Sequence, residues 1–353
     1  MKKVLANKDS LLTRDEFRAG VFARDGEVCV ICGQPAQDAH HILERRLFED
    51  GGYYLSNGAS LCAAHHLEAE QTILSVESIR ERAGIDRPAL PEHFYPDERY
   101  DKWGNGYLTN GQRTKGELFH DESVQKILRH GGVLGEFTDL IKYPRTLHLP
   151  WSPGATEDDR ILHDLSALEN QEVVVTEKMD GENTTMYRDH FHARSVDGAS
   201  HPSQSWARAF HAKIRWQIPE GWRVCAENLY AKHSIGYDEL PHFLLVFSVW
   251  NEKNRCLGWD DTVEWSTLLN LQTVHVLYRG PWNKKLIRCH DPAPSELGRE
   301  GYVVRSAGQF SFRDFRRVVA KFVKAGHNQT RHGWKRQAVV PNRLAVTTSA
   351  RIN

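Results

Sequence analysis

The segment Glu172-Val-Val-Val-Thr-Glu-Lys178-Met-Asp-Gly-Glu-Asn183 decides the fold of the larger part of this chain. Its apolar run at 173–176 predicts a buried β-strand, because β-branched residues favour strands. Lys178 stands where that strand ends, and Gly181 permits the turn that follows. A lysine is usually a solvated charge, so a functional site here depends on what the rest of the chain supplies.

Further β-type runs follow this segment, each bounded by turn residues, at 191–194, 223–226, 243–250, 273–278, 301–304 and 318–322. Helical patterns lie between some of them, at 204–216 and 261–269. Strands and helices that mix without strict alternation predict an α+β domain built on antiparallel sheets.

The composition is that of a folded chain without overall charge. Its 353 residues are 40% apolar and 26% charged, and 46 basic residues balance 46 acidic ones. Contacts with nucleic acid must therefore come from local patches and aromatic side chains. The first six residues look like the start of a secretion signal, but polar residues follow at 7–10 and no later segment is long enough to cross a bilayer. We expect a cytoplasmic protein without a membrane partner.

Three segments of the chain differ in character. Residues 1–85 hold most of the metal-ligand chemistry and an amphipathic helix pattern at 68–82. Residues 86–140 are rich in Pro, Gly and Tyr, which predicts a connecting segment. Residues 141–353 carry the strand runs and are predicted to form the second domain.

Two short motifs near the N-terminus have the spacing of zinc ligands. Cys29-Val-Ile-Cys32 and Cys62-Ala-Ala-His65 can each present two ligands to one tetrahedral ion, which predicts a structural Zn²⁺ site. A module this small buries little apolar surface, so closing four ligands on Zn²⁺ would supply much of its folding free energy. The other cysteines are predicted to be buried small residues: Cys225, Cys256 and Cys289.

Around these motifs the chain resembles the HNH endonucleases. That family has a His pair on a strand, an Asn in the following loop and a His on a helix, which match His40, His41, Asn57 and His66. The resemblance implies a small zinc-bound ββα-metal module in which His41 is the general base that activates water. His40 and His66 would hold a Mg²⁺-type ion that stabilises the leaving oxygen, and Asn57 would brace the loop or contribute an oxygen.

Two positions depart from the HNH pattern. His65 stands where the family usually has Cys, and Glu70 stands one helical turn after His66 where many members have another His. Glu70 can still face the same ion, because residues four apart share a helix face. The module is therefore expected either to cut nucleic acid, RNA or DNA, or to keep its zinc and only dock nucleic acid.

Several residues downstream of Lys178 stand in the order that adenylyl transfer requires: Arg194, Glu227, Phe247, Glu300, Lys321 and Lys324. With this order the chain resembles the covalent nucleotidyltransferases, and most closely the RNA ligases of the phage double-strand-sealing type and their bacterial relatives. The resemblance spans residues 142–334, and its last segment, 326–334, is rich in donors suited to a phosphate backbone. It implies an antiparallel-sheet nucleotidyltransferase domain, the ATP-grasp-like adenylyltransferase fold of ligases.

The resemblance implies a covalent intermediate on Lys178. The lysine attacks the α-phosphate of ATP and forms lysyl-AMP; the AMP passes to the 5′-phosphate of a nicked or broken RNA strand, and a 3′-hydroxyl displaces it to seal the strand. An amine with a pKa of about 10 is mostly protonated, so we expect Mg²⁺ or Mn²⁺ and a second lysine to lower it.

The same resemblance assigns the nucleotide contacts. Arg194 matches an arginine that contacts the phosphates or the RNA end. Glu227 matches a carboxylate that accepts a hydrogen bond from the ribose, and Phe247 matches an aromatic residue that stacks on adenine. Glu177 belongs to the nucleophile motif, and Asn183 matches an asparagine that phage-type RNA ligases use and DNA ligases lack.

Three residues near the end of the domain complete the set. Glu300 matches an acidic residue that positions metal or nucleotide. Lys321 and Lys324 match the family's final motif and would neutralise the α-phosphate in the transition state.

Two other functions stay open at this point. RNA capping uses the same lysine chemistry with GTP, and Asn183 stands against it. The chain could also be an HNH nuclease or nucleic-acid-binding defence protein whose ligase half senses ends. A nuclease joined to a ligase favours RNA repair, in which ends are trimmed or opened and then resealed.

Overall fold

A computed structural model describes residues 10–157, 159–293, 295–296, 298–326 and 338–345. The chain divides into two compact units, Met1–Ile141 and Lys142–Asn353. Residues 327–334 of the donor-rich segment lie outside the described residues.

The N-terminal unit consists of short helices and strands. Its helices are α1 (Arg14–Asp25), α2 (Ala63–Glu70), α3 (Val76–Arg82) and α4 (Glu122–His130). Its strands are β1 (Asp38–His41), β2 (Gly58–Leu61), β3 (Gly106–Tyr107), β4 (Arg113–Thr114) and β5 (Phe137–Thr138). Single 3-10 turns lie at Arg45–Leu47, Leu55–Asn57 and Leu134–Glu136.

Strands β1 and β2 form an antiparallel pair that α2 follows directly. His40 lies opposite Ala59 and His41 opposite Gly58. A Cβ at Gly58 would lie 2.5 Å from a Val21 methyl group, so this glycine lets α1 pack closely on the strand pair. The pair and α2 together carry half of the candidate metal ligands, namely His40, His65, His66 and Glu70.

The helix predicted at 68–82 is interrupted. Helix α2 ends at Glu70 and α3 begins at Val76. Thr72 has a φ of 58°, a left-handed conformation that stops a helix. Ser75 then caps α3, since its hydroxyl accepts a hydrogen bond from the Ser78 amide at 3.1 Å.

The segment at 86–140 is a folded part of the N-terminal unit. Phe94 packs in the core beneath β1 and β2. A second buried cluster lies within the segment itself: Trp103, Phe119, Val124, Leu128 and Val133. The buried Asp101 carboxylate accepts hydrogen bonds from Asn105 and Arg113, which ties the segment's turns together.

The C-terminal unit contains most of the strands. They are β6 (Leu147–His148), β7 (Glu172–Lys178), β8 (Glu182–Met186), β9 (Phe191–Ala193), β10 (Arg223–Asn228), β11 (Leu244–Trp250), β12 (Arg255–Cys256), β13 (Gln272–Thr273), β14 (Val276–Pro281), β15 (Gly301–Ser306), β16 (Phe310–Ser311) and β17 (Val319–Val323). Its helices are α5 (Ser166–Glu169), α6 (Ser205–Ile214), α7 (Trp259–Leu268), α8 (Lys284–Arg288) and α9 (Phe315–Val318). Single 3-10 turns lie at Pro202–Gln204, Arg215–Gln217 and Phe312–Asp314.

These strands form two sheets. One has the order β14-β7-β15-β17-β6, and the other has the order β16-β12-β11-β10-β8-β9 with β13 beside β11. The pairs are antiparallel except β13 with β11 and β6 with β17. The predicted α+β class with antiparallel sheets is confirmed.

Apolar side chains from both sheets form the core. Val175, Trp250, Tyr302 and Phe315 are fully buried in one cluster. Cys225 and Cys256 are buried as predicted, but the prediction for Cys289 is wrong: it is exposed just after α8, where its thiol donates to the Lys285 carbonyl. Every helix among the described residues is too short or too polar to cross a membrane.

Candidate functional sites

Lys178 is the last residue of β7, and its amine is paired with a buried acid. Its Nζ donates to Glu300 Oε2 at 2.6 Å, and the Glu300 side chain is only 1% exposed. Gly301 lies opposite Lys178 on β15. A Cβ at that position would lie 1.9 Å from the Phe322 carbonyl oxygen, so only glycine permits this close strand pairing.

The electrostatic environment keeps Lys178 protonated. Burial by itself lowers its pKa, but the Glu300 and Glu227 carboxylates outweigh burial and raise the pKa above the ordinary value. The sequence led us to expect a lowered pKa, from cations around the amine. The acids outweigh burial instead, so the Lys178 amine is held as an ion pair with Glu300.

Lys321 lies on the same face of the sheet as Lys178. On β15, Gly301 pairs with Lys178 and Val303 pairs with Lys321, and residues two apart on a strand share a face. Burial, the Lys178 charge and, to a smaller extent, Arg194 lower the pKa of Lys321 to about 8. Three cations therefore converge on one place, which suits a substrate rich in negative charge.

His148 and Asp159 border this site and were not predicted as site residues. His148 lies beside Lys321 on the parallel strand β6 and is 2% exposed. Its Nδ1 lies 2.8 Å from Ser152 Oγ and its Nε2 lies 3.6 Å from Asp159 Oδ2. Burial and the Lys321 charge lower its pKa to about 4, so the ring is neutral at pH 7. The only hint in the sequence was that segment 142–152 belonged to the resemblance.

Glu227 faces the site from the other sheet. Its carboxylate accepts a hydrogen bond from the Gly181 amide at 3.1 Å. Burial and the neighbouring Glu300 and Asp180 carboxylates raise its pKa to about 8, against the opposing influence of Lys178. An acid that gains a proton near neutral pH can both accept and donate hydrogen bonds.

Asn183 lies opposite Glu227 in the pairing of β8 with β10. Its Oδ1 is buried and has no hydrogen-bond partner among the described residues. A buried amide oxygen without a donor is costly, so this atom is available to a donor group of a ligand.

Phe247 occupies a β-bulge. The pairing of β10 with β11 passes from Cys225 opposite Ser248 to Ala226 opposite Val246, which leaves Phe247 without a partner. A bulge re-aims the side chain of the extra residue. The buried guanidinium of Arg305 donates to the Phe247 carbonyl at 3.2 Å and stabilises this geometry.

Two of the predicted contacts lie apart from this group. Glu177 precedes Lys178 on β7, and strand alternation places its side chain on the opposite face. The Lys324 ammonium donates to the Glu296 carbonyl oxygen. The structure thus brings together Lys178, Glu227, Glu300, Lys321 and Arg194. The Glu177 side chain lies on the other face, and Lys324 contacts the group through its backbone amide, which donates to the Glu300 carbonyl at 3.0 Å.

In the N-terminal unit, Cys29, Cys32, Cys62 and His65 form one cluster. Their ligand atoms all lie within 4.8 Å of one another. Cys32 Sγ lies 3.9 Å from Cys62 Sγ, and His65 Nδ1 lies 3.5 Å from Cys29 Sγ and 3.2 Å from Cys62 Sγ. A tetrahedral Zn²⁺ site has S···S edges of about 3.8 Å and S···N edges of about 3.6 Å. The residues fit Zn²⁺.

His40, His66 and Glu70 form a second cluster whose donor atoms also lie within 4.8 Å. Glu70 Oε1 lies 3.6 Å from His40 Nδ1 and 3.4 Å from His66 Nε2. His40 is 2% exposed, and neither of its ring nitrogens has a hydrogen-bond partner among the described residues. Burial, and after it the nearby charge of Lys102, holds its pKa well below the usual range, so it can donate a lone pair to a divalent ion.

His41 lies beside this cluster on β1. Its ring stacks on Phe17 with 4.4 Å between ring centres, and its Nε2 is buried without a hydrogen-bond partner among the described residues. Burial, Lys102 and Arg45 lower its pKa to about 4, so the ring is neutral and can accept a proton.

Asn57 braces the segment that runs from the end of β1 to its own 3-10 turn. Its side chain donates to the carbonyls of Leu43 and Gly52 and accepts from the Leu43 amide at 2.9 Å. Of its two expected roles, bracing is therefore the one that its contacts support.

Lys102 belongs to this site, although no pattern in the sequence indicated it. Its ammonium donates to the His41 carbonyl at 2.9 Å and lies 3.0 Å from Glu70 Oε1. The side chain is 5% exposed and comes from the segment predicted as a connection. Only tertiary packing brings it here.

Comparisons with known proteins give partial overlaps. A mutant of the Naegleria gruberi RNA ligase with ATP and Mn is 18% identical over 45% of this chain and 51% of that chain, with a TM-score of 0.35. An archaeal ATP-dependent RNA ligase is 16% identical over 52% of this chain and 48% of that chain, with a TM-score of 0.35. The protein therefore spans about half the length of these chains.

No curated protein matches the sequence. The family model named RNA ligase matches residues 171–323, the segment that contains Lys178 and all the strands from β7 to β17.

Proposed function

We propose that the C-terminal unit is an ATP-dependent RNA ligase whose nucleophile is Lys178. The observation that carries the proposal is the Lys178–Glu300 pair, surrounded by Glu227, Lys321 and Arg194, inside the segment that matches the RNA ligase model. An amine at a strand end, next to two cations and two acids, suits attack on a nucleotide phosphate.

In the first step, Lys178 Nζ bonds to the α-phosphorus of ATP as the bond to pyrophosphate breaks. The amine must be neutral to attack, so its pairing with Glu300 has to be relieved when the nucleotide binds. Lys321 and Arg194 hold the phosphate charge, and Phe247 offers its ring to the base. The AMP then moves to an RNA 5′-phosphate, and a 3′-hydroxyl displaces it.

The carboxylates of Glu227 and Glu300 fit a divalent ion, because Mg²⁺ and Mn²⁺ prefer oxygen ligands. When bound, such an ion would neutralise phosphate charge and weaken the hold of the acids on the lysine ammonium.

Incubation with α-labelled ATP and Mg²⁺ or Mn²⁺ tests the nucleophile. The parent protein should retain covalent label and Lys178→Ala should not. Lys213→Ala is the matched control, because this exposed lysine on α6 belongs to the same unit and should leave labelling intact. Label on Lys178→Ala would refute the assignment.

Competition between ATP and GTP separates ligation from capping. We expect labelling from ATP to resist excess GTP. Sealing of a labelled nicked RNA, with single-stranded RNA and nicked DNA in parallel lanes, then identifies the substrate.

We propose a metal-dependent nuclease of the HNH type for the N-terminal unit. The specific observation is the His40–His66–Glu70 cluster next to the neutral, buried His41. His41 would take a proton from water, and the cluster would hold one divalent ion beside the leaving oxygen. Three thiols on a zinc ion suit a reducing compartment such as the cytoplasm.

Cleavage of labelled RNA and DNA in Mn²⁺ tests this second activity. His41→Ala should abolish cleavage without affecting sealing, and His130→Ala, an exposed histidine at the end of α4, is the control. A parent protein that binds nucleic acid but never cuts it would favour the docking role.

A further inference from the structure

Residues 338–345, which we call the strap, bind along the loop at 229–240 in the C-terminal unit. Five backbone hydrogen bonds of 2.8–3.0 Å join the two segments. They run from Lys232 to Val340, from Asn342 to Tyr230, from Arg343 to Tyr237, from Leu240 to Arg343 and from Ala345 to Leu240.

Asn342 is the anchor of the strap. It is 6% exposed, whereas Val340 is 58% exposed and Leu344 is 40% exposed. The strap therefore gains little from apolar burial, and solvated backbone hydrogen bonds contribute little net stability each. What distinguishes this attachment is the buried amide of one side chain.

The Asn342 amide joins both ends of the loop. Its Nδ2 donates to the Leu229 carbonyl at 2.8 Å, and its Oδ1 accepts from the Tyr237 amide at 2.9 Å. Loss of this side chain would leave a carbonyl and an amide of the loop without partners.

The same loop holds Asp180, two residues after the nucleophile. The Tyr237 hydroxyl accepts from the Asp180 amide at 2.9 Å. Asp180 Oδ2 accepts from the Ile235 amide at 2.8 Å and from the Ser234 hydroxyl at 2.5 Å. A continuous series of hydrogen bonds thus runs from Asn342 through Tyr237 to the turn after Lys178.

We propose that Asn342 is a positioning residue for adenylyl transfer, which acts by fixing the 229–240 loop and, through Tyr237, the turn at Asp180. The inference rests on the proposed ligase function. The turn sets the direction of the Lys178 side chain. It also sets the position of the Gly181 amide, which donates a hydrogen bond to the Glu227 carboxylate. Small displacements of a nucleophile from its line of attack cost large factors in rate.

The test is a double-mutant cycle on the full chain, with single-turnover formation of lysyl-AMP at saturating ATP as the readout. Asn342→Ala and Tyr237→Phe should each slow the reaction by about tenfold, as expected when the loss of one hydrogen bond, worth about 1.4 kcal/mol, is felt in full in the transition state. Combined, they should slow it no more than the slower single variant, because both interrupt one series of contacts. Val340→Ala, an exposed neighbour on the strap, should match the parent.

Asn342→Asp is a conservative control for loss of folding. It keeps the acceptor for the Tyr237 amide but loses the donor to Leu229, so its rate should lie between those of Asn342→Ala and the parent. Circular dichroism melts of every variant establish that it is folded at the assay temperature. The KM for ATP should stay near the parent value, because the nucleotide contacts are intact.

The outcomes separate two failures. A parent protein that never forms lysyl-AMP overturns the proposed ligase function and the inference with it. A parent that does so, together with Asn342→Ala at the parental rate or multiplicative effects in the double variant, overturns the positioning role alone.

Discussion

The buried ion pair between Lys178 and Glu300 makes a quantitative prediction about stability. At an effective dielectric constant of about 20, unit charges at this separation attract by roughly 6 kcal/mol, and neutralisation of the charge left unpaired in each single variant reduces the coupling that the cycle measures to about half of that. The Nζ–Oε2 distance is 2.6 Å, and the two side chains are 20% and 1% exposed, so solvent screens the pair only weakly. We therefore expect a coupling free energy of about 3 kcal/mol at pH 7.

A cycle of Lys178→Met, Glu300→Gln and the double variant measures this coupling by urea unfolding, followed by tryptophan fluorescence. Each single variant should lose stability because it strands one buried charge. The loss of unfolding free energy in the double variant should be smaller than the sum of the two single losses by about 3 kcal/mol. Because the folded pKa of Lys178 is raised, the pair stabilises fully below the unfolded pKa and loses its effect as pH rises through the folded pKa. Additive losses at pH 7 would refute the reasoning.

Three further predictions concern the two units. The pKa of Lys321 is about 8, so the KM for ATP should rise as pH passes upward through that value, and Lys321→Arg should flatten the profile, as initial rates across pH will show. Phe247→Leu should raise the KM for ATP about threefold to tenfold through loss of stacking. The melting temperature should fall as well, because the ring also packs against two core clusters; an unaltered KM would show that the ring does not contact the nucleotide. Chelation of zinc with phenanthroline should lower the melting temperature of the N-terminal unit, and Cys62→Ser should abolish the zinc content measured by atomic absorption, whereas exposed Cys289→Ser should not.

Local spacing in the sequence was enough for much of the fold and for parts of both sites. The strand before Lys178, the α6 and α7 patterns and the class of sheet all follow from short-range periodicity. The candidate zinc ligands follow from two pairs with fixed spacing, which the structure gathers in one cluster. In each case the residues that support the prediction lie within one element or within two short motifs.

What the sequence missed depends on contacts between distant segments. Lys102 reaches Glu70 only because the 86–140 segment packs on the N-terminal core. His148 reaches Lys321 through a parallel pairing of two strands far apart in the chain, which no local pattern encodes. The break between α2 and α3 at Thr72 was not predicted for a different reason: a helix-like apolar period continues across it.

The resting salt bridge of Lys178 also has a chemical consequence in the cell. The neutral amine of a lysine reacts slowly with cyanate, aldehydes and activated acyl groups. The protonated amine has no lone pair and does not react. By holding a proton on this side chain, Glu300 slows such accidental modification of Lys178. On the proposed ligase function, the same ion pair would protect the amine on which adenylyl transfer depends.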